Sequence, residues 1–367
     1  MSPSSSMPCP PNSRYPILPG VRSRIIETPR LRTHCYESGN PQDPCLVVIH
    51  GNASSARFYE EFMARMTGWH VLAPDLRGYG ASEAKPVDAT RGLRDFADDI
   101  AALLDTLLIQ RHILIGWSLG GVIAMQYTID HPDRVRALIL ESSGSPFGYG
   151  GTHGDAGIPN FADFAGSGGG LIASQVIERY VAKDTTADSP FSPRSVMRQN
   201  YVKPPFQFDP EREDIFIEQM LMMVIGDQFY PGDGIDSPNW PYRTPGVWGA
   251  NNALSPKYTN LAHLADIAPQ PPILWIHGAD DTIVSDAALV DPCTLGKMGF
   301  IPGWPGDAMC PSQPMLAQLR SVLTRYAANG GVFREEIFAD CGHSPHLEHL
   351  AAYLRMLHEF TANADIL

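Results

Sequence analysis

The first 140 residues alternate between two hydrophobic patterns. Short, almost continuous apolar runs such as Leu46-Val47-Val48-Ile49 are typical of strands buried on both faces, whereas longer amphipathic runs are typical of helices. The predicted strands are residues 24–28, 31–36, 46–49, 71–73, 112–115 and 137–140, and the predicted helices are residues 55–66, 93–108 and 119–131. Strands and helices that alternate with short links predict an α/β fold with a mostly parallel sheet and helices on both faces.

The alternation stops after Leu140. The following residues are rich in Gly, Pro, Asn and aromatic side chains, with one strong helix pattern at residues 214–225. Core-like patterns return later, as strands at residues 273–276 and 332–338 and a helix at residues 347–360. This interruption predicts one core domain that is split by an inserted cap or lid domain.

The domain boundaries follow from these changes in pattern. The Ser/Pro-rich start of the chain has neither a basic segment nor an apolar core, so we expect a flexible, loosely attached tail and no secretory signal. The predicted divisions are the tail (1–20), the core (21–143 and 265–367, with a Pro/Gly-rich insertion at about 286–313) and the cap (144–264).

Composition and charge exclude several classes of partner. The net charge of −13 argues against nucleic acid and anionic membranes, because clustered Lys and Arg bind both. No apolar run approaches the ~20 residues of a membrane span. With 44% hydrophobic residues, the 367-residue chain is suited to bury a large core. We therefore expect a globular protein whose partner is a small molecule, while the oligomeric state stays open.

The six cysteines do not form a zinc or redox motif. None has the Cys-x-x-Cys spacing, and six in a chain of this length is a low density. That density favours reduced thiols and a cytoplasmic location. Cys293 and Cys310 share one Pro/Gly-rich segment, and whether they pair is left open.

The segment Gly116-Trp117-Ser118-Leu119-Gly120 lies between a predicted strand and a predicted helix. In that context the Gly-x-Ser-x-Gly pattern is typical of a nucleophile elbow, a strained turn that exposes the serine hydroxyl above the sheet. The alternative is an ordinary turn in which Ser118 caps the helix. We interpret Ser118 as a catalytic nucleophile, with the N-terminus of the helix directed at the oxyanion.

A serine hydroxyl needs a base, and His343 is the candidate. It follows the last predicted strand, where a loop can reach a serine at the same edge of the sheet. The alternative is a histidine that caps a helix or faces solvent. His346 and His349 follow at spacings of three, but without a nearby Cys or a His-Glu-x-x-His motif they indicate a polar helix start rather than a zinc site.

An acid must orient the base. Asp281 directly follows the 273–276 run and is the preferred candidate. Glu141, after the strand that follows the nucleophile helix, and Asp280, the neighbour of Asp281, remain alternatives.

Two N–H donors must hold the oxyanion. The backbone N–H of Leu119, the residue after the nucleophile, is expected to be one donor. The loop His50-Gly51-Asn52 is expected to supply the other through the backbone N–H of Asn52, with the Asn52 side chain as a further candidate. The alternative for His50-Gly51 is a plain strand-to-helix turn.

Together these segments resemble the α/β-hydrolase superfamily, in the form of a cap-bearing serine hydrolase of the esterase or lactonase type. The matching segments are residues 50–52, 75–80, 116–121, 131–135, 278–281 and 342–346. The resemblance implies a Ser118–Asp281–His343 triad and a reaction that needs neither a metal nor a cofactor.

Two features depart from the family. Asp281 and His343 are 62 residues apart, more than the family usually shows. The excess lies near residues 286–313, which we expect to form an ordered loop near the mouth of the site. Ser118 also separates the chain from relatives with an aspartate nucleophile, the epoxide hydrolases and haloalkane dehalogenases.

Aromatic and Met side chains of the cap suggest the substrate. We expect more than half of them to form the core of the cap and the rest to line an apolar pocket. They are Phe147, Tyr149, Phe161, Phe164, Phe206, Met220, Met222, Met223, Phe229, Tyr230, Trp240 and Trp248.

The sequence thus predicts a serine hydrolase that cleaves a carboxylic ester or lactone of an apolar or aromatic small molecule through an acyl-enzyme. The resemblance adds macrocyclic lactones such as zearalenone to the candidate substrates. Two alternatives remain: a C–C bond hydrolase or cofactor-free perhydrolase with the same triad, and a non-enzymatic ligand receptor on a hydrolase scaffold.

Overall fold

The computed structural model describes residues 13–362. The strands are β1 (Val21–Glu27), β2 (Arg32–Ser38), β3 (Cys45–Ile49), β4 (His70–Pro74), β5 (His112–Trp117), β6 (Val135–Glu141), β7 (Thr152–His153), β8 (Ile158–Pro159), β9 (Ile225–Gly226), β10 (Tyr230–Pro231), β11 (Gly234–Asp236), β12 (Arg243–Pro245), β13 (Ile273–Gly278) and β14 (Phe333–Phe338). The α-helices are α1 (Glu60–Arg65), α2 (Arg94–Thr106), α3 (Leu119–Asp130), α4 (Ser174–Val181), α5 (Pro193–Val196), α6 (Pro210–Met220), α7 (Ala250–Ala253), α8 (Pro292–Lys297), α9 (Met315–Ala328), α10 (Pro345–Glu348) and α11 (Leu350–Thr361).

Eight strands form one large sheet in the order β1-β2-β4-β3-β5-β6-β13-β14. β1 pairs antiparallel with β2, and β2 pairs antiparallel with β4. All the other pairs in this sheet are parallel. The strands β4, β5 and β13 are buried along their whole length, as expected for strands with helices on both faces. The mostly parallel α/β fold predicted from the alternation is confirmed.

The parallel strands bring four important loops to one edge of the sheet. β3 leads into His50, β5 into Ser118, β13 into the loop of Asp281, and β14 into the loop of His343. In an open α/β sheet this carboxyl edge is where ligands bind. The fold therefore explains why residues far apart in sequence meet there.

The segment between β6 and β13 packs directly on the strands that carry these loops. Phe216 of α6 stacks on Phe58, with 4.3 Å between the ring centroids, and Phe58 lies 5.8 Å from Trp117 at the end of β5. All three rings belong to the main hydrophobic core. The division of the chain into a core and a cap domain stays a prediction.

Several helices differ from the sequence-based expectation. The helix predicted at residues 214–225 is α6, which begins earlier because the Asp209 side chain accepts hydrogen bonds from Glu211 N and Arg212 N, with Pro210 at the first helical position. Helices α4, α5, α7, α8 and α9 were not predicted. Helix α9 follows Pro314 without a side-chain cap, so no start signal marks it in the sequence, although Leu319 and Leu323 are fully buried on one of its faces.

The predicted tail is attached over the part that the structure describes. The Arg57 guanidinium, itself fully buried, donates hydrogen bonds to Ser13 Oγ at 2.6 Å and Pro16 O at 2.7 Å. Glu60 Oε1 accepts a hydrogen bond from Leu18 N at 2.7 Å. The prediction of a loose segment is therefore wrong for residues 13–20, because buried charges need these main-chain partners. Residues 1–12 of the predicted tail lie outside the described residues.

The Pro/Gly-rich insertion contains helix α8 and a disulfide bond between Cys293 and Cys310, whose Cα atoms are 5.5 Å apart. The pairing left open by the sequence is thus present. Because disulfides are rare in reducing compartments, it removes the support that the cysteine count gave to a cytoplasmic location. Over the described residues, every helix is too short or too polar to cross a bilayer.

Candidate active site

Ser118 occupies a strained turn between β5 and α3. Its backbone has φ 57° and ψ −119°, a combination that a non-glycine residue adopts only when its surroundings impose it. Two hydrogen bonds hold the backbone of Ser118 in this conformation: Ser118 N donates to Glu141 O at 2.9 Å, and Ser118 O accepts from Gly121 N at 3.0 Å. The geometry is that of a nucleophile elbow.

Glycines make this turn possible by allowing close backbone approach. A Cβ on Gly116 would lie 2.2 Å from Gly120 O, and a Cβ on Gly120 would lie 2.1 Å from Ile49 O. Neither distance is tolerable for a carbon atom. The two glycines therefore let α3 start directly against β5 and β3, as the sequence pattern required.

His343 and Asp281 form a buried pair at the same edge. His343 Nδ1 lies 2.8 Å from Asp281 Oδ2. The other carboxylate oxygen, Oδ1, accepts hydrogen bonds from Ile283 N at 2.8 Å and Val284 N at 2.9 Å. The carboxylate is thus fixed from one side and holds the imidazole from the other, which leaves His343 Nε2 for proton transfer.

The backbone of the histidine loop is tied to the elbow. Trp117 Nε1 donates a hydrogen bond to His343 O at 2.8 Å, and the two rings are 5.5 Å apart. Trp117 directly precedes Ser118. One side chain therefore links the positions of the candidate nucleophile and the candidate base.

The two alternative acids have other partners. Glu141 Oε1 accepts hydrogen bonds from His346 Nδ1 at 2.7 Å and His346 N at 2.9 Å. Burial alone would raise the pKa of the Glu141 carboxyl, but the charge and hydrogen bonds of His346 hold that pKa below its usual value. Asp280 is partly exposed and forms an ion pair with Lys203 at 2.9 Å. Of the three acids, Asp281 is the one brought to His343.

The three histidines of the last loop do not converge. His346 contacts Glu141, whereas His349 Nε2 lies 3.1 Å from Asp340 O. In the part of the chain that the structure describes, no group of three His, Cys, Asp or Glu side chains is arranged to hold a metal ion.

The loop after β3 is fixed beside the nucleophile. His50 Nε2 accepts a hydrogen bond from Leu76 N at 3.0 Å, so Nδ1 carries the proton, which it donates to Gly51 O at 2.8 Å. Burial lowers the pKa of His50, which keeps the ring neutral and this pattern intact. A Cβ on Gly51 would lie 3.0 Å from Ser118 Cβ, so the loop backbone passes directly over the serine.

The Asn52 side chain is engaged elsewhere. Asn52 Oδ1 accepts a hydrogen bond from Tyr79 Oη at 2.5 Å, and Asn52 Nδ2 donates to Asn251 Oδ1 at 2.7 Å. Tyr201 Oη donates to Asn52 O at 2.9 Å. The backbone N–H groups of Asn52 and Leu119 stay the expected oxyanion donors, while the Asn52 side chain uses its oxygen and one amide hydrogen elsewhere.

An apolar cavity of about 190 Å³ opens next to Ser118. The cavity is lined by side chains from the segment between β6 and β13 and from the parts of the chain before and after it. The apolar ones include Leu119, Val122, Ile172, Val176, Leu254, Ile283, Val284, Val290 and Met315. Apart from Ser118, its polar side chains are Asn and Tyr, and none of the lining residues is a Lys, Arg or His. The cavity is therefore suited to an uncharged, largely apolar molecule.

Sequence reasoning found few of the residues that line this cavity. Of the aromatic and Met residues it proposed, Tyr149 and Tyr230 contribute to the wall, whereas residues such as Met220, Met223 and Trp240 are buried in the protein core. It missed Tyr180, Tyr201 and Asn251. Nothing in the sequence marked these three residues as part of a cavity wall, because tyrosine and asparagine are common in loop-rich segments.

Comparisons with known proteins agree with the fold. Residues 44–174 match a family described as "alpha/beta hydrolase fold". The chain is 30% identical over 117 residues to epoxide hydrolase A of Mycobacterium tuberculosis, covering 31% of this chain and 36% of that protein. It is 35% identical over 124 residues to 2-hydroxymuconate semialdehyde hydrolase of Pseudomonas sp. (strain CF600), covering 33% of this chain and 43% of that one. The matches thus span less than half the length of these curated relatives.

The structural likeness covers more of the chain. A putative aryl esterase from Burkholderia cenocepacia superposes with a TM-score of 0.56 at 18% identity, over 93% of this chain and 98% of that chain. Identity this low speaks for the fold alone. Taken with the sheet order, the serine elbow and the family match, it shows that the chain has the α/β-hydrolase fold.

Proposed function

We propose that the protein is a serine hydrolase that cleaves a carboxylic ester or lactone of a small apolar molecule through an acyl-enzyme. The observation that carries the proposal is the buried Asp281–His343 hydrogen bond, 2.8 Å long, tied through Trp117 to a serine in a strained elbow. A nucleophile, an oriented base and an adjacent apolar cavity are the requirements of this chemistry.

The proposed reaction has two halves. Ser118 Oγ attacks the ester carbonyl carbon while His343 Nε2 accepts the hydroxyl proton, and Asp281 stabilises the imidazolium that forms. The oxyanion is held by the backbone N–H groups of Leu119 and Asn52. His343 then gives its proton to the leaving alkoxide, which departs and leaves an acyl group on Ser118. Water, deprotonated by His343, attacks the acyl carbonyl and releases the acid and the free serine.

The cavity supports a small substrate. Its volume of about 190 Å³ lies below the roughly 300–1,000 Å³ typical of sites for drug-sized ligands. A compact alkyl or aryl ester suits this volume better than a macrocyclic lactone, for which the cavity would have to widen. The absence of cationic residues among those lining the cavity favours neutral substrates over phosphorylated or multiply carboxylated ones.

The alternatives predict different behaviour. A C–C bond hydrolase would turn over diketone-type substrates in preference to esters. A perhydrolase would need peroxide as the acceptor of the acyl group. A receptor on this scaffold would bind its ligand without repeated turnover.

The test is an activity panel on the full chain. We expect repeated turnover of short p-nitrophenyl esters by the wild type and a kcat lower by roughly 10³–10⁶-fold for Ser118→Ala. Diketones and peroxide-dependent reactions complete the panel. Turnover of diketones alone, or the same rate for wild type and Ser118→Ala, would overturn the proposal.

A further inference from the structure

A line of polar side chains extends from the oxyanion loop along the wall of the cavity. Tyr79 Oη contacts Asn52 Oδ1 at 2.5 Å, and Asn52 Nδ2 contacts Asn251 Oδ1 at 2.7 Å. Tyr230 lies beside Asn251 on the same wall. Asn52, Asn251 and Tyr230 all line the cavity that Ser118 also lines.

The direction of each hydrogen bond in this line is fixed. A tyrosine hydroxyl donates to Asn52 Oδ1, so the Asn52 amide nitrogen is the group that faces Asn251. Asn251 must then present its oxygen to Asn52, which leaves its Nδ2 as a donor on the cavity wall.

A second hydroxyl of the same kind is nearby. Tyr180, on α4, lines the cavity, and its ring centroid is 6.5 Å from that of Tyr230. Its side chain is 2% exposed, and it lines the cavity together with Tyr230. Two tyrosine hydroxyls on one cavity wall can donate hydrogen bonds to a ligand bound there.

We infer that Asn251 Nδ2 and the hydroxyls of Tyr230 and Tyr180 form a subsite that binds a second, uncharged oxygen acceptor of the substrate. This rests on the proposed function and deepens it: the substrate is an apolar ester or lactone with a ketone, ether or hydroxyl oxygen on its body. An uncharged oxygen is specified because no cationic side chain lines the cavity to balance a carboxylate. The subsite adjoins the oxyanion loop through Asn52 and therefore orients the substrate next to Ser118.

Protonation supports the donor role. Burial raises the pKa of Tyr230 to about 12, and burial raises the pKa of Tyr180 further above its usual value. Both hydroxyls therefore keep their protons at neutral pH and can donate to a neutral oxygen.

The experiment measures binding without turnover. Calorimetry on the wild type compares benzylacetone, which carries a ketone, with n-butylbenzene, which is similar in size and lacks the oxygen. We expect the ketone to bind more tightly, and Tyr230→Phe to reduce this preference by about 3–10-fold, the effect of one neutral hydrogen bond. Tyr149→Phe is the matched control. Tyr149 lines the same cavity, but its hydroxyl already donates to Val290 O, so the preference should persist.

The outcomes separate the subsite from the hydrolase proposal. The subsite is overturned if the preference is the same in wild type and Tyr230→Phe, if the hydrocarbon binds as tightly as the ketone, or if neither ligand binds. A Tyr230-dependent preference in a protein that turns over no ester would support the subsite and contradict the hydrolase. Ester turnover that depends on Ser118, without any effect of Tyr230→Phe on ligand binding, would support the hydrolase and contradict the subsite.

Discussion

At the scale of single residues, two buried histidines that follow β14, His343 and His346, each contact a carboxylate, but in different surroundings. Asp281 contacts His343 through one carboxylate oxygen, and its other oxygen accepts hydrogen bonds from two backbone N–H groups. Glu141 contacts His346 and also accepts hydrogen bonds from Tyr59 Oη at 3.1 Å and Tyr353 Oη at 2.9 Å. The first pair lies in the loop that Trp117 ties to the serine elbow, whereas the second joins β6 to the last two helices.

These surroundings give opposite expectations for two conservative substitutions. Asp281→Asn should lower kcat for a p-nitrophenyl ester by up to ~10⁴-fold, because an amide favours the wrong imidazole tautomer. Glu141→Gln should lower kcat far less but reduce the free energy of unfolding by about 1–3 kcal/mol, since an amide NH2 cannot accept the buried hydrogen bonds that the carboxylate accepts. Ester kinetics and urea unfolding of both variants provide the test. If Glu141→Gln lost more kcat than Asp281→Asn, the catalytic acid would be Glu141, at the end of β6, and not Asp281.

His112 gives a pH-dependent stability. It is fully buried on β5, neither ring nitrogen has a hydrogen-bond partner among the described residues, and burial lowers its pKa to about 3. The unfolded chain, with a histidine pKa of about 6.5, therefore binds more protons between pH 6.5 and 3. In this window the free energy of unfolding falls as the pH falls.

We expect the His112 contribution to amount to about 2 kcal/mol between pH 7 and pH 5. His112→Leu removes the titrating group, so its urea-unfolding free energy should fall less over that interval than that of the wild type. Equal pH dependence of the two proteins would contradict the lowered pKa.

At the scale of elements, the site depends on how closely α3 starts against β3 and β5. Ile49 O is the atom that a side chain at Gly120 would strike, at 2.1 Å. The turn could be predicted from the sequence, because the Gly-x-Ser-x-Gly pattern, a strand and a helix all indicated the same elbow. Asp281 was preferred as the acid, but the sequence left Glu141 and Asp280 as alternatives, since side-chain directions depend on neighbours such as Lys203 and His346.

Gly120→Ala should therefore displace α3 from β3. We expect loss of ester hydrolysis and a lower unfolding temperature, because the obstacle is backbone and cannot move aside. Gly170→Ala is the control: the atoms nearest to its Cβ lie 3.3 Å away, so activity should be kept. Normal activity and stability of Gly120→Ala would contradict the close packing.

The disulfide constrains the insertion that follows Asp281. Cys293 and Cys310 are 17 residues apart, and closing a loop of that length stabilises a fold by about 3 kcal/mol. The double variant Cys293→Ala/Cys310→Ala should lower the free energy of unfolding by about that amount under oxidising conditions. A reductant should destabilise the wild type in the same way and leave the variant unchanged. A wild type insensitive to reductant would contradict the constraint.

At the scale of the whole molecule, features that depend on neighbouring residues could be predicted from the sequence, whereas features that depend on contacts between distant segments could not. The sheet and α3 could be predicted because their hydrophobic periodicity is local. The attachment of residues 13–20 and the cavity wall could not, because they depend on contacts between distant segments, such as Arg57 with Ser13 and Asn52 with Asn251. The position of the cap boundaries stays a prediction.

The central claim is that Ser118 is the nucleophile of a hydrolase, and labelling with a fluorophosphonate tests it most directly. The probe forms a covalent bond with an activated serine, and peptide mapping by mass spectrometry locates the adduct. We predict one adduct per chain, on the peptide that contains Ser118, slower labelling of Asp281→Asn, and no adduct on Ser118→Ala. An adduct on another residue, or a Ser118→Ala variant that labels and hydrolyses esters like the wild type, would contradict the account.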